Sequence, residues 1–103
     1  MLDFTFSTSN EICSELGQRL RARRLMLGWS QTDLAQRAGL SSGTVKNLEH
    51  KGQASLASFI EIVYALGLAG DLSDVFKVRL HSIAAMEKAQ QAKRQRAPRK
   101  GAP

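Results

Sequence analysis

Ser42, Gly43, Lys46 and Asn47 are the residues whose types and spacing ask for a chemical role. They lie in SSGTVKNLEHK, residues 41–51, at helical spacing opposite Val45 and Leu48. A helix built this way shows solvent a hydroxyl, a stretch of bare backbone, an ammonium and a carboxamide. Hydroxyl and amide groups donate and accept hydrogen bonds, and the ammonium attracts phosphate. The small residues at the N-terminal end let the helix approach another surface closely. This set of groups recognises a partner and breaks no bonds. A helix presented in this way fits the major groove of duplex DNA, with its N-terminal residues at the base edges. The competing reading is an ordinary solvated face on a generic helical hairpin.

Other chemistries lack their residues. No Ser/His/Asp grouping, phosphate-binding loop or glycine-rich dinucleotide fingerprint occurs, so no enzyme and no cofactor are expected. His50 and His81 have no Cys, His or carboxylate companions at ligand spacing, so no metal site is expected. With one cysteine, Cys13, no internal disulfide can form. Cys13 sits in a helical pattern among apolar residues and reads as a small hydrophobe. No window approaches the run of about 18 apolar residues that spans a bilayer. The start, MLDFTFSTSNE, has neither a basic beginning nor an apolar stretch, so no signal peptide is read. A cytoplasmic protein without a membrane partner is the expectation.

The formal net charge is +6, but its placement matters more. Residues 1–86 hold nine Lys/Arg against eight Asp/Glu, whereas residues 87–103 hold six against one. The excess belongs to the tail, where Lys93, Arg94, Arg96, Arg99 and Lys100 carry no acid among them. A run of this kind is expected to be a solvated, flexible arm that meets nucleic acid or another polyanion.

Elements must hold the polar helix in place, and the sequence punctuates them clearly. Leu2, Phe4 and Phe6 alternate with polar residues, a strand period. With no second strand pattern in the chain, this arm either pairs with its copy in a dimer or packs its two phenylalanines on the bundle. Thr8-x-x-Glu11 reads as a capping box for a first helix carrying Ile12, Leu16, Leu20 and Leu27, which ends at Gly28. Ser30-x-x-Asp33 opens a second helix that stops at Gly39. Ser41 or Ser42 caps the third, which ends near Lys51-Gly52. Ser55 caps a fourth through Leu56, Phe59, Ile60, Val63 and Leu66. Asp71-x-x-Asp74 can start a short fifth with Leu72, Val75 and Phe76, and a weak sixth pattern follows Ser82. Ala35, small, and Gly39, tolerant of a left-handed conformation, suit two helices that cross closely over a short turn. Trp29 is expected to staple onto the second helix near the turn of Asp33.

This pattern resembles the helix-turn-helix of the Xre/Cro family, which includes the phage lambda-type repressors. The resemblance runs from about Leu16 to Leu68. It rests on Ser30-Gln31, Leu34-Ala35, Ala38-Gly39, Val45, Leu48-Glu49, Gly52 and Ala65-Leu66-Gly67 taken together. It implies that Ser42, Gly43, Lys46 and Asn47 face bases and that Gln31, Ser41, Thr44 and Lys51 contact the DNA backbone. It also implies that Arg24 and Glu49 form a buried ion pair tying the first helix to the third; without it, Arg24 could be one more surface charge beside Arg19, Arg21 and Arg23. Gly43 departs from the pattern. The family often has a long polar side chain there, so direct readout is lost, the helix start is weakened, and close approach becomes available.

These readings combine into an all-α fold. It is a compact five-helix lambda-repressor-like bundle with an N-terminal arm over 1–8, a helix-turn-helix domain over 9–80, and a weakly helical, then basic tail over 81–103. The expected function is sequence-specific binding of double-stranded DNA by a homodimeric transcriptional regulator, a repressor, with two half-sites about 34 Å apart. The dimer surface is expected around Leu68, Leu72, Val75 and Phe76, helped by Leu2, Phe4 and Phe6. The flanks are similar in layout to HipB-like antitoxins, which repress their own operon and bind a kinase-like toxin. A protein-interaction module without DNA binding is the remaining alternative.

Overall fold

Ser and Thr punctuate the chain, and four of them cap the α-helices of its first 65 residues. In a computed structural model that describes residues 2–78 and 86–93, the order is α1 (Ser9–Met26), α2 (Gln31–Ala38), α3 (Ser42–Lys51) and α4 (Leu56–Ala65). The Glu11 amide donates to Thr8 Oγ1 at 3.1 Å, and the Thr8 amide returns a bond to Glu11 Oε1 at 2.9 Å. Ser30 and Asp33 repeat this box at α2, at 3.0 and 2.9 Å. Ser41, not Ser42, caps α3 by accepting from the Thr44 amide, and Ser55 caps α4 by accepting from the Ser58 amide. Each such cap contributes about 1 kcal/mol by satisfying an amide that the helix leaves unpaired.

The α2–α3 corner needs a residue that turns left. Gly39 takes φ 69° and ψ 33°, and the Leu40 amide then donates to the Ala35 carbonyl at 2.9 Å. This closes α2 and starts α3 after three residues. Ala35, buried at the crossing, keeps the two helices close. The core gathers Leu20, Leu34, Ala35, Ala38, Val45, Leu48, Ile62, Val63 and Leu66, with Trp29, Leu40, Phe59, Ala65, Leu68 and Leu72 packed around it. All four helices contribute, so each fixes the others.

Two further contacts bind α1 to its neighbours. Gly17 leaves no room for a side chain, because a Cβ there would overlap the Leu48 carbonyl oxygen. The backbones of α1 and α3 therefore touch, and Gln18 Nε2 donates to the Glu49 carbonyl at 3.0 Å. Arg23 Nε donates to the Leu66 carbonyl at 3.1 Å and so satisfies the end of α4.

The strand period at the N-terminus, one of the two readings left open for the arm, does not become a strand. Phe4–Phe6 forms a single turn of 3-10 helix. Asp3 holds it by accepting from the Thr5 amide at 2.9 Å, and the Ser7 hydroxyl donates to the Asp3 carbonyl at 2.7 Å. No strand among the described residues is present to supply a ladder, so local bonds win. Of the two phenylalanines expected to pack, Phe4 is half-buried with the Arg19 guanidinium 5.0 Å above its ring, while Phe6 is 87% exposed.

After α4, the fifth element is a 3-10 turn, Ala69–Leu72, beginning two residues before Asp71. The chain continues in turns to Phe76, whose φ of 60° breaks any helix there. Residues 1–73 form one unit and residues 74–103 a second. Within the second, Lys77 Nζ and Asp74 Oδ1 lie 3.3 Å apart, and residues 86–93, Met86 and Lys93 included, are helical and mostly exposed. Arg94, Arg96, Arg99 and Lys100, and the Ser82–Ile83 start of the sixth pattern, lie outside the described residues.

Candidate nucleic-acid interface

The two faces of α3 are chemically opposite. Val45, Leu48 and Glu49 are buried, whereas Ser42, Gly43, Lys46 and Asn47 are exposed together on the other side. Thr44 is half-buried, with its hydroxyl 2.8 Å from that of Ser41. Those two residues thus spend part of their bonding capacity on each other. Lys51, the last residue of α3, is exposed. Thr32, on the first turn of α2, brings its hydroxyl within 3.5 Å of that of Ser42. Thr32 was not among the expected site residues; ten positions separate it from Ser42, and only the α2–α3 crossing makes them neighbours.

Beneath this face lies a charged network that fixes the angle between three helices. Arg24 is 6% exposed and Glu49 2%. Arg24 Nε donates to Glu49 Oε2 at 2.7 Å and Nη2 to Oε1 at 2.9 Å, a bidentate pair. Arg24 Nη1 also donates to the Trp29 carbonyl at 2.6 Å. The bond to Glu49 raises the guanidinium pKa further, against the opposing effect of burial. Gln31 Nε2 completes the network by donating to Glu49 Oε1 at 3.1 Å. Gln31 is half-buried at the first position of α2, so its amide is held by the protein before any partner arrives.

Trp29, expected to staple near Asp33, is held on α2 through Arg37. Its ring packs half-buried against the core, with the Arg37 guanidinium 4.1 Å from its centroid. That contact lies one turn beyond Asp33, where the staple was expected. Asp33 is occupied by its cap: the Ser30 amide, then the Ser30 hydroxyl, hold its carboxyl below the usual range. Glu11 is lowered in the same way by the Thr8 amide and hydroxyl.

Among the described residues, no cluster of three or more His, Cys, Asp or Glu could hold a metal ion, and no helix is long and apolar enough to cross a membrane. What the geometry offers is an exposed polar helix face whose buried side is bonded to two other helices.

The sequence is similar to those of known proteins. A family profile described as a helix-turn-helix domain matches residues 15–75, most of α1 through the 3-10 turn. The chain is 31% identical over 62 residues to the protein named Antitoxin HipB from Escherichia coli O6:H1. That alignment covers 59% of this chain and 66% of the relative, just under two thirds of its length. The chain belongs to the Xre-like family of helix-turn-helix DNA-binding regulators.

Proposed function

We propose that the protein is a sequence-specific repressor that binds duplex DNA as a homodimer and reads the major groove with α3. In this reading Ser42, Gly43, Lys46 and Asn47 meet base edges, and Gln31, Ser41, Thr44 and Lys51 meet the DNA backbone. The basic tail, Lys93, Arg94, Arg96, Arg99 and Lys100, runs along neighbouring phosphates. The observation that carries the reading is the division of α3 into a buried face clamped by Glu49 and an exposed face of short and polar groups. One such helix covers too few base pairs for useful specificity, so a second copy supplies the other half-site. Leu68 and Leu72 are half-buried against the core, while Val75 and Phe76 are exposed, so the latter two are the better candidates for the dimer surface. On the same grounds we place its action in the cytoplasm.

Selection of bound sequences from random duplexes tests the reading. Enrichment of a symmetric site, with half-sites one helical turn apart, supports it. Enrichment of no sequence at low salt sinks it.

A second reading is favoured by the similarity to a protein named Antitoxin HipB. In it the chain represses its own operon and also binds a kinase-like toxin. Co-expression with the product of the adjacent gene separates the two readings: a stable complex with a kinase-like neighbour supports the second, and its absence leaves an autonomous repressor.

A further inference from the structure

Several glycines around the motif have a reason inside the protein. Gly17 faces the Leu48 carbonyl with no space for a Cβ, and Gly39 and Gly52 hold left-handed conformations. Gly43 has no such reason. It lies within α3 at a helical, negative φ, and a Cβ built there meets only Ser41 Oγ, at 3.8 Å, an ordinary contact. Glycine inside a helix is less stable than alanine, because its backbone loses more freedom on folding. The fold would therefore be better served by alanine, and the demand for glycine comes from outside the fold.

The surroundings narrow what that demand is. Gly43 shares its exposed face with Lys46 and Asn47, one turn along, whose side chains extend beyond its bare Cα. The start of α3 is thus recessed relative to its middle. Hydroxyls beside the recess have protein partners: Thr44 with Ser41 at 2.8 Å, and Ser42 with Thr32 at 3.5 Å. The recess itself is a bare Cα. Among groups on the major-groove edges, the thymine 5-methyl is the one that calls for apolar contact and no hydrogen bond.

We infer that Gly43 is the point of closest approach of α3 to the groove floor, and that a thymine 5-methyl group seats against it. This rests on the proposal that α3 is the reading helix. The residue then acts as a determinant of specificity through the side chain it lacks.

The test uses the full chain, its selected duplex, and copies of that duplex in which single thymines are replaced by uracil, which removes only the methyl. At one position in each half-site, uracil should weaken wild-type binding about fourfold, the worth of one buried methyl. Gly43→Ala should melt about 2–5 °C higher than wild type, since alanine suits the helix. The same variant should bind the selected duplex at least about tenfold more weakly, as an added methyl at a close-packed contact does, and should no longer distinguish thymine from uracil. Unchanged affinity and selection in Gly43→Ala overturn the inference, and uniformly neutral uracil replacements overturn the methyl contact. Lys46→Ala and Asn47→Ala serve as the control on the underlying reading. If they also leave selection unchanged, α3 is not the reader; if they relax it while Gly43→Ala does not, the inference about Gly43 alone fails.

Discussion

Lys46 and Asn47 project from α3 without a hydrogen bond or ion pair to another side chain in the described structure, and their exposure frees them for an outside partner. A bidentate contact to a base discriminates by about 1–3 kcal/mol. Alanine at either position should relax preference at particular base pairs, seen by sequence selection, and leave the melting temperature nearly unchanged. Arg24 and Glu49 should behave in the opposite way. Both are buried and bonded twice to each other, and Glu49 additionally accepts from Gln31. Replacing one by methionine strands its partner's charge and should cost about 3–5 kcal/mol in chemical denaturation. Replacing both by apolar residues should recover much of that loss. Small, equal effects from all three variants would contradict the buried pair.

At the scale of the helix, the capping boxes make stability depend on acid. Glu11 and Asp33 are held below their ordinary pKa values of 4.5 and 3.8 by bonds from the amides and hydroxyls of Thr8 and Ser30. The folded state therefore favours the charged carboxylates. Their contribution is complete above the ordinary values and is lost as pH falls through the lowered ones. Thermal melts from pH 6 down to pH 2 should show stability declining from about pH 4.5. The double variant Glu11→Gln, Asp33→Asn keeps acceptors at both boxes and removes the titration, so its decline should be shallower. An identical slope in the variant would place the acid sensitivity elsewhere.

At the scale of the whole molecule, charge is divided between a nearly neutral body and a basic tail. Phosphate contacts release counterions, with a slope of about −0.9 in log affinity against log salt for each phosphate neutralised. If most of Lys93, Arg94, Arg96, Arg99 and Lys100 engage DNA, deleting residues 93–103 should reduce that slope by roughly 3–4 per chain. Affinity should fall alike on specific and random duplexes, because phosphate contacts carry no sequence information. If the tail instead docks on a protein partner, such as a toxin, truncation leaves the salt slope intact and weakens that complex.

Much of the fold was legible because it is local. A Ser or Thr three residues before an acid, and a glycine after the last apolar residue, act within one turn, so Thr8, Ser30 and Gly39 marked their helices without knowledge of anything distant. The apolar spacing of Leu34, Val45, Leu48, Val63 and Leu66 likewise marked the core, but Leu56 and Ile60, expected on the same face of α4, are exposed, and Ile62, which was not expected there, is buried. The Arg24–Glu49 pair was legible only through the family pattern, since nothing local joins residues 25 apart. Contacts set by where helices cross stayed hidden. Gly17 against the Leu48 carbonyl, Arg23 on the end of α4, Arg37 over Trp29, and Gln31 bonded to Glu49 each depend on an interhelical angle or distance. The N-terminal arm stayed undecided for a related reason: period-two alternation marks a strand only when another strand accepts its hydrogen bonds. None is present among the described residues, so Asp3 turned the chain into a 3-10 helix instead. Residue types and spacing alone marked α3 as a helix with one exposed polar face; how that helix is held follows from burial and crossing geometry, which are properties of the packed chain.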